Sequence, residues 1–169
     1  MRRPVLLLLI LALPACSLTV GLGPDPAPSA PAGGDEAVVT RVIDGDTIDV
    51  RLANGQQARV RYIGVNTPER DELCFSEATA ANAALVNNQR VRLVRDVSDT
   101  DRFDRLLRYV WVGSTFVNRE LVAQGWAEAV LFEPNRAHFE TFRELEQQAA
   151  RANIGCHPTG VFNDGSDAR

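Results

Sequence analysis

A chain of 169 residues, once its ends are discounted, has room for one domain with a core of its own and not for two. Its formal charge of −4 has the wrong sign for a protein that coats nucleic acid by bulk electrostatics, although a local arginine cluster works inside an acidic whole. With 3 Cys and 2 His there are too few ligands for a zinc cluster, and because no lysine occurs an exposed arginine is a solubilising group unless its position says otherwise.

Met1 to Cys16 opens with Arg2 and Arg3, continues through the apolar run Val5 to Leu13, and ends Leu13-Pro14-Ala15-Cys16. The run falls well short of the roughly 20 apolar residues that span a bilayer, so it reads as an export signal. Cys16 after a Leu-x-Ala triplet resembles the bacterial lipoprotein signal, in which the thiol is lipidated, although Pro14 is untypical there. An ordinary secretory signal beside an unrelated cysteine is the alternative. Both readings place the protein outside the cytosol, either as an envelope lipoprotein, periplasmic or at the surface, or as a secreted protein. In an oxidising compartment Cys74 and Cys156 are free to pair; two unpaired buried thiols are the alternative.

Residues 17–36 carry Pro24, Pro26, Pro28 and Pro31 among Gly, Ala and Asp with no apolar period, which predicts a semi-extended tether. One domain is expected over 37–158 and a loose tail over 159–169. Val38 to Ile43 reads as a strand, Thr47 to Leu52 alternates apolar and polar, and Asn54-Gly55 turns the chain into a partner strand over Gln57 to Ile63. The Gly-free, Ala-rich stretch Glu77 to Asn88 predicts a helix, followed by strands at Arg90 to Val94 and Leu106 to Val112. The second of these turns at Gly113-Ser114 into Phe116-Val117. A short helix over Asn118 to Gln124 should stop at Gly125. A last helix over His138 to Arg151 puts Phe139, Phe142, Leu145 and Ala149 on one face. About five strands with three helices make an α+β fold built on a small closed barrel of the OB type.

The chemistry-bearing residues lie between these elements. His138 and His157 fall on the last helix and in the tail, which argues against histidine-based hydrolysis. Asp44-Gly45-Asp46 offers hard oxygen ligands or else a tight turn. Asn66-Thr67-Pro68-Glu69 offers carbonyls and a carboxylate base, or an Asx turn before a fixed proline. Arg61 shares parity with Ile63 and Val65, and an arginine on an apolar face needs an anion. Thr100-Asp101-Arg102-Phe103-Asp104-Arg105, read alone, is a solvated loop with internal ion pairs.

Taken together, Val42-Ile43-Asp44-Gly45-Asp46-Thr47, Arg61 with Thr67-Pro68-Glu69, Thr100 to Arg105, and Leu121-Val122-Ala123-Gln124-Gly125-Trp126-Ala127 resemble the staphylococcal nuclease (thermonuclease) family. The likeness runs in order from about Val38 to Ile154. It implies a calcium-dependent nuclease that cuts DNA and RNA and leaves 3′-phosphates. Asp46 would be a carboxylate ligand of calcium and Thr67 a backbone-carbonyl ligand. Glu69 would orient or deprotonate water, while Arg61 and Arg105 grip the phosphate. Arg102, Phe103 and Phe132 would touch substrate. Several departures stand out: Asn66 replaces the usual aspartate ligand, which lowers the charge available to calcium; Phe103 stands where a tyrosine holds phosphate, and Val130 and Phe132 where tyrosines line the nucleotide pocket. The loop from Glu69 to Glu77 is also shorter. A monomer with no obligate protein partner, attached to membrane through its N-terminal lipid alone, is expected. The rival readings are a non-catalytic OB module that binds nucleic acid or another polyanion in the envelope, and an envelope protein that binds calcium for structure.

Overall fold

The computed structural model describes residues 31–163; the export signal, the lipidation candidate Cys16, most of the tether and the end of the tail lie outside them. Strands β1 (Asp35–Val42), β2 (Thr47–Leu52) and β3 (Gln57–Tyr62) form an antiparallel meander. After β4 (Val65–Asn66) and helix α1 (Phe75–Val86), β5 (Arg90–Val94) returns to pair antiparallel with β1. Strand β6 (Leu106–Val112) pairs antiparallel with β5 and parallel with β3, matching Val60 with Leu106 and Arg61 with Leu107. That last pairing closes a five-stranded barrel and removes the edges an open sheet would expose. It also sets the turn that enters β6 beside Arg61, across more than forty residues of sequence.

The remaining elements are β7 (Thr115–Phe116), α2 (Val117–Ala123), β8 (Glu128–Ala129) and α3 (Phe139–Ala152). Inward positions of the barrel strands, among them Val39, Ile48, Val50, Val60, Val91, Leu93 and Val110, are fully or almost fully buried. Helix α3 adds its predicted stripe: Phe142 and Ala149 are buried, Phe139 and Leu145 half-buried against the same core. Phe142 seats directly over Gly64, where a Cβ would come within 3.1 Å of the ring and the φ of 78° already disfavours an L side chain.

Several boundaries differ from those read in the sequence. Strand β1 starts at Asp35, inside the stretch assigned to the tether, because Asp35 and Glu36 pair with Leu93 and Arg92 of β5. Helix α1 starts at Phe75 and ends at Val86, with Asn88 in the left-handed region (φ 60°) turning the chain into β5. The Sγ atoms of Cys74 and Cys156 are bonded at 2.09 Å across a separation of 82 residues. This link ties the start of α1 to the segment after α3, and closing so long a loop contributes about 4 kcal/mol in the chain-entropy model. The two-stranded sheet β4–β8, which pairs Val65 with Ala129 and Asn66 with Glu128, carries no sequence signal, since two residues are too few for a period.

Candidate active site

The turn between β1 and β2 presents two carboxylates. Ile43 N donates to Thr47 O at 3.0 Å, and Asp44 Oδ1 accepts from Asp46 N at 3.1 Å. A Cβ at Gly45 would fall 2.6 Å from Thr67 Oγ1, so glycine is what allows the turn to approach the Thr67 segment. Asp46 is buried: its Oδ1 accepts from Thr47 Oγ1 at 3.0 Å, and its Oδ2 accepts from Thr67 N at 2.9 Å and Thr67 Oγ1 at 3.1 Å. From behind, Asn82 of α1 donates to Asp44 O at 2.8 Å and accepts from the Tyr62 hydroxyl at 2.9 Å.

Burial, and next the Asp46 charge, push the Asp44 carboxyl up to about 6. A carboxyl whose folded pKa exceeds its unfolded value contributes stability below the unfolded pKa and loses it as pH rises through the folded one. With a chelator present, Asp44→Asn is therefore expected to raise the melting temperature near pH 7 and to leave it unchanged near pH 4. Thermal melts of the two proteins at both pH values check this.

Arg61, on β3, is 7% exposed, and the anion it needs is Asp46: Nη2 lies 3.1 Å from Asp46 Oδ2. Nη1 donates to Tyr62 O at 3.0 Å and Val65 O at 2.7 Å, and Nη2 also reaches Asn66 Oδ1 at 3.2 Å. The guanidinium carbon sits 5.5 Å from the centre of the Phe132 ring. Asn66, itself buried, donates from Nδ2 to Glu128 Oε1 at 2.7 Å. Arginine can only donate and a carboxylate can only accept, so the Asn66 amide has one permitted orientation, Oδ1 toward Arg61 and Nδ2 toward Glu128.

Glu69 follows Pro68 at the end of this buried run and is exposed. Its backbone is held in a turn, Glu69 N donating to Glu72 Oε2 at 2.6 Å and Glu72 N to Glu69 O at 2.9 Å. Across from it, the chain entering β6 folds around Asp101, whose Oδ1 accepts from Phe103 N at 2.9 Å and Arg105 N at 3.0 Å. Asp101 Oδ2 takes Arg105 Nε at 2.7 Å. Partial burial acts to raise the Asp101 carboxyl, but the hydrogen bonds from Arg105 outweigh it and hold the group below the usual carboxylate range. Among the described residues, nothing bonds the two terminal nitrogens of Arg105.

Arg61, Asn66, Glu69, Arg102, Phe103, Arg105 and Phe132 all line one cleft of about 490 Å³. Residues from four separate stretches of the chain thus meet at the end of the barrel where β3 and β6 pair. Asp46 and Thr67 stand behind Arg61 and do not line the cleft. Among the described residues no three His, Cys, Asp or Glu side chains cluster. A cation here would rest on the Asp44 and Asp46 carboxylates with neutral oxygens from Asn66 and Thr67, a hard, oxygen-only set that suits calcium while carrying little charge. A separate cleft of about 430 Å³ against α3, lined in part by Arg143 and His157, gathers none of these groups.

Asp44 was legible as one of the hard oxygen ligands, or turn residues, of Asp44-Gly45-Asp46, whereas two contributors escaped the sequence reading. Asp101, which orients Arg105, looked like one more charge in a solvated loop. Glu128 had no signal, because its place beside Asn66 depends on the two-residue β4–β8 pairing.

Residues 59–156 match the family model described as staphylococcal nuclease homologue. The chain is 38% identical to the thermonuclease of Staphylococcus hyicus over 119 residues, 67% of this chain and 70% of that protein. It is 36% identical to the thermonuclease of Staphylococcus intermedius over 140 residues, 79% and 83% of the two chains. With endonuclease YncB of Bacillus subtilis it shares 39% identity over 117 residues, 64% of this chain and 55% of that one.

Proposed function

Since the chain belongs to the staphylococcal nuclease family, we propose that it is a calcium-dependent nuclease that hydrolyses phosphodiester bonds of DNA and RNA and leaves 3′-phosphates. The observation that carries this reading is the meeting of Arg61, Glu69 and Arg105 in one cleft. Phosphodiester hydrolysis asks for fixed positive charge at the phosphoryl oxygens and a base for the attacking water. The two arginines divide the first task. Arg61, with Nη1 shared between two carbonyls and Nη2 against Asp46, is a rigid charge at the cleft floor. Arg105, steadied through Nε by Asp101, keeps both terminal nitrogens to fork a phosphate.

Glu69 is an exposed carboxylate facing these cations, free to take the proton of a water aligned on phosphorus. The water oxygen bonds to phosphorus as its proton passes to Glu69, and the bond to the 5′-oxygen breaks on the opposite face, that oxygen taking a proton from solvent. Phe132 and Phe103 flank the arginines and offer faces to bases and sugars. Asp44, Asp46, Asn66 and Thr67 would hold calcium, which when bound would neutralise phosphoryl charge and acidify a coordinated water.

The same reading includes export and a lipid on Cys16, with the folded unit working as a monomer outside the cytoplasm. The Cys74–Cys156 bond supports an oxidising compartment. Incubating the purified protein with plasmid DNA and with RNA, with calcium or with excess chelator, tests the activity. Degradation that stops on chelation, with 3′-phosphate ends, is expected. Nucleic acid that is bound yet intact at every calcium concentration would instead identify a non-catalytic binding module.

A further inference from the structure

We propose that a second cleft, on the far side of the Phe103 ring, holds the nucleoside across the scissile phosphate from the one in the main cleft. This rests on the nuclease reading above and adds a subsite to it.

Phe103 is 63% exposed, yet it is not loose. Its amide is bonded to Asp101 Oδ1, Asp101 N donates to Arg105 O at 3.0 Å, and Asp104 N donates to Asp101 O at 3.1 Å. Arg102 and Arg105 bring their guanidinium carbons to 4.8 and 5.5 Å from its ring centre. A large apolar ring held out into water on a hydrogen-bonded turn, with two cations beside it, suits stacking of a base on an aromatic platform.

Phe103 and Arg105 line two depressions at once: the main cleft, and a more open one of about 440 Å³ floored by Asp49, Gln57, Ala58 and Arg59 of the β2–β3 hairpin. The groups common to both are thus a phosphate-binding guanidinium and a stacking ring. A strand whose phosphate sits on Arg105 can place one neighbouring nucleoside in each. The floor of the second depression favours a base and sugar over another phosphate. Arg59 is committed to Asp49, Nε to Oδ1 at 2.8 Å and Nη2 to Oδ2 at 3.1 Å, so its charge is compensated, while Gln57 supplies a neutral amide to a base edge.

The test compares kcat/KM on single-stranded tetrathymidylate with that on bis(p-nitrophenyl) phosphate, which has no nucleoside to place. Gln57→Trp, at an exposed position in the lining of the second depression, fills it. Gln57→Glu, at an exposed position that leaves the fold alone, puts a carboxylate there. Each variant is expected to lose about tenfold more on the oligonucleotide than on the small diester, mostly through KM, the worth of one stacked base. An unchanged ratio for both folded variants overturns the subsite. Wild-type protein that cleaves neither compound sinks the nuclease reading itself, and the subsite with it.

Discussion

Arg61→Ala is expected to abolish cleavage and to destabilise the barrel by about 3–5 kcal/mol, the cost of stripping a buried ion pair of one partner. Its removal leaves the buried Asp46 without its cation and uncovers the carbonyls of Tyr62 and Val65. Glu69→Gln should behave differently. Glu69 is exposed, and the bonds that shape its turn run through its backbone, so melting should stay as in the parent. Loss of the general base should still lower kcat by roughly a hundred- to ten-thousandfold. Urea unfolding beside plasmid digestion separates the two cases. A Glu69→Gln protein that cuts at the parental rate would remove Glu69 from the mechanism, and an Arg61→Ala protein of parental stability would contradict the buried network of Arg61, Asp46 and Asn66.

The contrast between these two residues shows what a sequence can and cannot carry. Barrel strands were legible because a half-buried strand alternates and because Asn54-Gly55 fixes the register of its hairpin. Arg61 was legible as a buried cation by parity with Ile63 and Val65. Its partner within the fold was not, since Asp46 is brought to it by the pairing of β2 with β3, which sets Thr47 opposite Arg61. Arg105 was harder still. Read locally, its loop is solvated charge; its place in the cleft follows from the parallel β3–β6 pairing, a contact between strands far apart in the chain. Only the family resemblance pointed to it beforehand. The helix limits failed for local reasons: the positive φ of Cys74 marks a turn its residue type does not announce, while Asn88, a type that tolerates the left-handed region, lies just past the helix end and not inside it.

The Asn66 substitution, which at first looks like a lost calcium ligand, takes on another meaning beside Glu128. A carboxylate at position 66 would lose the 2.7 Å bond from Nδ2 and confront Glu128 directly in a buried site. Asn66→Asp alone is thus expected to destabilise the protein by about 2 kcal/mol, from an unmet hydrogen bond and like charges in contact. Adding Glu128→Gln returns a donor to face the new carboxylate, so the pair should recover most of that loss. Urea unfolding of the four proteins gives the coupling energy, expected to be about 2 kcal/mol and favourable in the double variant. The double variant also carries one more charge among the oxygens around Asp46, so it should bind calcium more tightly than the parent in a calorimetric titration. Strictly additive stabilities would mean that Glu128 does not set the Asn66 amide. Coupling with unchanged calcium affinity would mean that position 66 shapes the arginine network and not the cation site.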